Sequence, residues 1–83
     1  MDRTKSYEEI AAMVAAYVAQ RIGTSADAID RARRFDNLGL DSADAVALMG
    51  ELEDFVDRPL SAFLPYACPT IDQLARCVAD GDG

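Results

Sequence analysis

Phe35-Asp36-Asn37-Leu38-Gly39-Leu40-Asp41-Ser42-Ala43-Asp44 determines how the chain is put together. Asp41 and Ser42 are helix-starting residue types. Behind them Ala45, Leu48, Met49, Leu52, Phe55 and Val56 recur at i, i+3, i+4, i+7 spacing, which predicts a helix over about 42–57 with one buried stripe. Pro59 ends it, having no N–H to continue the ladder. Ser42 therefore falls at or beside the N-cap. Its hydroxyl faces outward over free backbone N–H groups, where an anion such as a phosphodiester is well tolerated. A nucleophilic serine needs a base within hydrogen-bond reach, most often an imidazole. The chain has no histidine. Ser42 reads as a residue that another protein modifies.

Upstream, Ser6 and Glu9 make a capping box, and Ile10, Met13, Val14, Tyr17, Val18 and Ile22 follow at helical spacing. Gly23 is a natural stop, so a first helix is predicted over about 7–22. Residues 23–41 then form a connection longer than compact domains usually carry without a purpose. Ile29, Phe35, Leu38 and Leu40 punctuate it irregularly, as anchors pinning a loop to a core, and Ser25 with Asp27 suits a single helical turn. Gly39 is expected to take a backbone conformation closed to other residues and so to set the direction of Ser42.

Downstream, a short third helix is predicted over about 61–66, limited by Pro65. Thr70 and Gln73 suggest another capping box, opening a last helix over about 71–79 whose core face is Ile71, Leu74, Ala75 and Val78. The tail Asp80-Gly81-Asp82-Gly83 is expected to fray. The fold class that follows is all-α: a small antiparallel four-helix bundle, three longer helices and one short, with a long loop between the first two.

Composition narrows the function classes. A chain of 83 residues has room for one modest core and no deep cleft. Fifteen acidic against eight basic residues give a net charge of −7, which repels nucleic acid and anionic membranes and favours partners with basic patches. No apolar run reaches membrane-spanning length, and Met1-Asp2-Arg3-Thr4-Lys5 lacks the apolar core of a signal peptide, so the expected location is cytoplasmic. Cys68 and Cys77 have neither redox-motif nor zinc spacing and read as buried or half-buried thiols in a reducing compartment rather than as a disulfide. Asp36, Asn37, Asp41 and Asp44 lack the alternating ligands and twelfth-position glutamate of a calcium loop, and no metal site is expected.

Leu38-Gly39-Leu40-Asp41-Ser42, followed by Val46, Leu48, Leu52 and Glu53, resembles the signature of acyl carrier proteins, with Phe35 and Pro69-Thr70 extending the likeness over nearly the whole chain. The resemblance implies that Ser42, beside Asp41, carries a 4′-phosphopantetheine arm derived from coenzyme A. It implies a non-catalytic carrier, monomeric, whose partners are a phosphopantetheinyl transferase, an acyl-loading enzyme and a ketosynthase or other acyl-processing enzymes. The segment from Leu60 to Thr70, with its leucines, Tyr66 and Pro69-Thr70, is more similar to polyketide-synthase carriers than to fatty-acid ones. A peptidyl carrier of nonribosomal peptide synthesis is the alternative, disfavoured by Leu40 and Asp41, where that group more often has glycine and histidine. An unmodified helical interaction domain, with Ser42 as a mere cap, is the reading from a different class.

Placing the second helix at 100° per residue sets Ala43, Val46, Ala47, Gly50 and Asp54 opposite the buried stripe, flanked by Asp44, Glu51, Glu53 and Asp57. A solvated face is normally charged throughout, yet the half nearest Ser42 is small and apolar. Leu40, Ala43, Asp44, Val46, Ala47, Glu51 and Asp54 are therefore the candidate partner-docking residues. Family members commonly carry a larger apolar residue after the serine and often a glutamate after the valine, so Ala43 and Ala47 imply a different set of partners. Met1 and the complete first helix lean toward a freestanding protein.

Overall fold

The computed structural model describes residues 5–80, in which four α-helices surround one core and no strand occurs among the described residues: α1 (Tyr7–Ile22), α2 (Ser42–Val56), α3 (Leu64–Ala67) and α4 (Ile71–Ala79). Residues 1–4 and 81–83, which hold the start of the chain and most of the tail expected to fray, lie outside the described residues. Asp80 is held, with its N–H donating to the Arg76 carbonyl.

α1 starts at the Ser6–Glu9 capping box, in which Ser6 Oγ accepts from the Glu9 N–H at 3.1 Å and the Glu9 carboxylate accepts from the Ser6 N–H. It ends at Gly23, in the left-handed region at φ 81°. Its core face differs from the stripe read in the sequence. Ala11, Ala15 and Ala19 are buried with Ile10, Val14 and Val18, while Met13 and Tyr17 are half-buried and Ile22 is exposed. The physical reason is the partner: α1 packs mainly along α4, and alanines admit a close approach that Met13 and Tyr17 do not.

The long connection is tied down rather than loose. A 3-10 turn at Ala26–Ala28 follows Ser25, and another at Phe35–Leu38 ends at Gly39, φ 94°. Backbone bonds fasten the connection to the entrance of α4: the Phe35 N–H donates to the Pro69 carbonyl at 2.8 Å, the Asp72 N–H to the Arg31 carbonyl at 3.1 Å, and Arg34 forms an isolated bridge with Thr70. Phe35 and Leu40 are buried; Ile29 and Leu38 are half-buried.

Two features correct the sequence reading. α3 runs over Leu64–Ala67 instead of about 61–66, because residues 61–63 form a turn in which Ser61 Oγ accepts from the Phe63 N–H at 3.1 Å. Pro65 opens this helix rather than limiting it, since a missing N–H costs nothing in a first turn. The cysteines are paired: Cys68, at the C-terminus of α3, and Cys77, on α4, form a disulfide, and there is no free thiol among the described residues. The chain folds the α3 end back onto α4 through Pro69, which brings together two sulfurs that no sequence spacing had placed in contact.

Leu48, Met49 and Leu52 of α2 join Ile10, Val14 and Val18 of α1 and Ile71, Leu74 and Val78 of α4 in the core. α2 ends at Val56, and Asp57 takes the left-handed region at φ 58° as its C-cap. The Glu53 carboxylate accepts from the Leu60 N–H at 2.7 Å and so holds the chain beyond α2. At α4, Thr70 Oγ1 accepts from the Gln73 N–H at 3.1 Å, and the Gln73 side chain meets the Thr70 hydroxyl instead of its backbone N–H.

Candidate functional site

Asp41, not Ser42, is the N-cap of α2. Its backbone is extended (φ −97°, ψ −177°), and its Oδ1 accepts from the Asp44 N–H at 2.8 Å. Asp44 reciprocates, its Oδ2 accepting from the Asp41 N–H at 3.3 Å. The two carboxylates therefore build the capping box between them, and Ser42 is left as the first helical residue, exposed. Its hydroxyl is free of the capping role that a helix-starting serine usually fills.

Asp44 has a further partner. Arg21, in the last turn of α1, reaches across to Asp44 Oδ1, its Nη2 at 2.6 Å and its Nε at 3.2 Å. The Arg21 guanidinium, and then the Asp41 backbone N–H, hold the Asp44 carboxyl below the usual carboxylate range. Ser42 thus stands on a helix end fixed by an interhelical ion pair.

Beside Ser42 opens a cavity of about 190 Å³. Phe35, Leu40, Ala45, Pro65, Tyr66 and Pro69 supply apolar wall, with Arg34 and Asp36 also lining it. Arg34 Nε is 3.3 Å from Asp36 Oδ1 in an exposed pair, so the charges there are largely compensated. The residues present fit a phosphodiester-linked arm: an exposed hydroxyl, a helix N-terminus for the anion, and an apolar hollow next to it. Among the described residues no cluster of His, Cys, Asp and Glu is arranged to hold a metal ion.

The candidate docking residues separate into two groups. Ala43, Val46, Glu51 and Asp54 are exposed, Val46 at 64 %, and Ala47 is half-buried. Leu40 is buried at 8 % and lines the cavity, which fits its reading as a core anchor of the long connection and not as an exposed docking contact. Asp44 is occupied by the cap and by Arg21. Gly50 leaves open space, since a Cβ there meets nothing within 4 Å. Sequence reasoning missed the exposure of two aromatics, Phe63 at 74 %, the N-cap of α3, and Tyr66 at 69 %, within α3. Their signal was present: aromatics between Pro59 and Pro69 that no helical stripe requires.

Residues 12–78 match the family described as "Phosphopantetheine attachment site". Over 63 residues, 76 % of this chain, the sequence is 36 % identical to a phenolphthiocerol/phthiocerol polyketide synthase component of Mycobacterium tuberculosis. The chain spans only about 3 % of that relative's length. Among solved structures, a free-standing peptidyl carrier protein from an Acinetobacter baumannii secondary metabolic pathway superposes with a TM-score of 0.84 at 28 % identity, over 94 % of this chain and 98 % of that one. An acyl carrier protein from Anabaena, with a variant phosphopantetheinylation-site sequence, superposes with a TM-score of 0.84 at 35 % identity, over 90 % of this chain and 85 % of that one.

Proposed function

The chain belongs to the phosphopantetheine attachment site family, and on that premise we propose that Ser42 is the residue that carries the 4′-phosphopantetheine arm. The observation that carries this is the exposed Ser42, released from capping by the Asp41–Asp44 box and lining the cavity. With no histidine in the chain, the base that takes the Ser42 proton comes from the phosphopantetheinyl transferase, with coenzyme A as donor. The free N–H groups of the first α2 turn stabilise the resulting phosphodiester. Once attached, the arm supplies a terminal thiol that holds an acyl group as a thioester.

In this reading the chain is one carrier domain over residues 1–83, monomeric, cytoplasmic and itself non-catalytic. Its cargo belongs to polyketide or related lipid synthesis, supported by the likeness to a polyketide synthase component. The outer face of α2, with Ala43, Val46, Ala47 and Asp54 flanked by Glu51, receives the transferase, the loading enzyme and a ketosynthase or similar enzyme. Basic residues on those enzymes complement the acidic rim. The likeness to a peptidyl carrier keeps nonribosomal peptide synthesis as the second reading. Intact-mass measurement after incubation with a transferase and coenzyme A tests the assignment: the protein gains one arm. Loading of the product with acyl or with aminoacyl groups then separates the two pathways.

A further inference from the structure

The Cys68–Cys77 disulfide stands apart from the carrier chemistry, yet Cys68 lies in the same short segment as Pro65, Tyr66 and Pro69, which line the Ser42 cavity. Cys68 is the C-cap of α3, buried, with its N–H donating to the Leu64 carbonyl at 2.7 Å. Cys77 is half-buried near the end of α4. The bond therefore fastens α3 to the best-packed part of the bundle. α3 has only four residues and no side-chain cap at its N-terminus. A helix so short has no stability of its own and lasts only while tertiary contacts hold it. Leu64 and Pro65 anchor its start in the core, and the disulfide anchors its end. Pro65, Tyr66 and Pro69 of this same segment line the cavity beside Ser42.

We propose that Cys68–Cys77 is a redox lock on α3: oxidised, it holds the cavity wall against Ser42; reduced, it lets the wall open. For its consequence, the sheltering or release of cargo, this rests on the reading of Ser42 as the attachment site. The chemistry balances with a dithiol reductant. Its thiolate attacks the more accessible Cys77 Sγ and expels the Cys68 thiolate, giving a mixed disulfide. The reductant's second thiolate then releases Cys77, so two electrons and two protons enter the protein and the reductant leaves as its own disulfide. In a cytoplasmic protein, disulfides are characteristically transient or redox-sensing, which is the behaviour assigned to this one. The backbone bond from the Phe35 N–H to the Pro69 carbonyl does not depend on the sulfurs, so loosening is confined to α3 and its flanks.

The test uses the full unmodified chain, so it reads the lock whether or not Ser42 accepts an arm. Alkylation under denaturing conditions without reductant should leave both cysteines unlabelled after air oxidation and label both after dithiothreitol. Hydrogen exchange by mass spectrometry, oxidised against reduced, should show the amides of residues 63–68 exchanging about tenfold faster after reduction while α1 and α2 are unchanged. Cys77→Ala, which leaves the buried Cys68 in place, should exchange like the reduced protein without any reductant. Labelling of both cysteines in the oxidised sample overturns the proposal. So does unchanged exchange at 63–68, or a uniform rise across all four helices.

Discussion

Arg21, at the end of α1, places its guanidinium 2.6 Å from the carboxylate of Asp44, in the first turn of α2. The same carboxylate closes the capping box on Asp41, so one side chain links the two long helices and sets the helix end on which Ser42 stands.

The pH dependence follows from that pair. Asp44 is held below the usual carboxylate range by Arg21 and the Asp41 N–H, and Glu9 by its bonds to Ser6. A group whose folded pKa is depressed stabilises the fold above its unfolded value and loses that contribution as pH falls through the folded value. Stability should therefore be level near neutrality and decline as pH drops below about 4. Thermal midpoints from pH 6 to pH 2 should fall less steeply for Asp44→Asn than for the parent, and equal slopes would show that Asp44 makes no such contribution.

Substituting the cap should separate structure from chemistry at adjacent positions. Asp41→Ala removes the acceptor for the Asp44 N–H and should cost about 1 kcal/mol. Ser42→Ala removes no cap and should leave the thermal midpoint nearly unchanged. Had Ser42 been the cap, the two effects would be reversed in size.

The same helix offers a test of phase. Leu52 is fully buried and Val46 is 64 % exposed. Leu52→Ala should cost about 2–5 kcal/mol, a large part of the stability of a domain this small. Val46→Ala should cost almost nothing by calorimetry. A collapse on Val46→Ala with a parent-like Leu52→Ala would place the core on the opposite face.

Docking is tested by charge. Val46→Asp and Glu51→Lys both lie on exposed positions and should leave folding intact while slowing acyl transfer to partner enzymes. Glu51→Lys should also blunt the dependence of association on salt. Unchanged transfer rates in both variants would move the contact surface elsewhere, with exposed Phe63 and Tyr66 the next candidates.

What was legible in the sequence depended on how local the cause was. The capping residues Ser6 and Glu9, the left-handed Gly39 and the core stripe Leu48–Leu52 are all decided within a turn or two of chain. The Asp41–Asp44 box was equally local but was masked by Ser42, itself a common cap. Burial of Ala11, Ala15 and Ala19 was not legible, because alanine carries little apolar signal and only the packing of other elements against α1, α4 foremost, buries it. The contact of Cys68 with Cys77 and the bond from Phe35 to Pro69 depend on where the chain returns in space. Leu40 carried two readings, a core anchor of the long connection and a docking contact; its burial agrees with the first, and the left-handed Gly39 before it turns it inward.

Carriage of cargo depends on Ser42 being the attachment point. Parent and Ser42→Ala proteins, incubated with a phosphopantetheinyl transferase and coenzyme A, should be compared by intact mass and by mapping of the peptide that contains residues 35–44. Each parent molecule should gain one arm, located on Ser42, and the folded variant none. An arm on Ser42→Ala, or no gain of mass by the parent, would overturn the assignment.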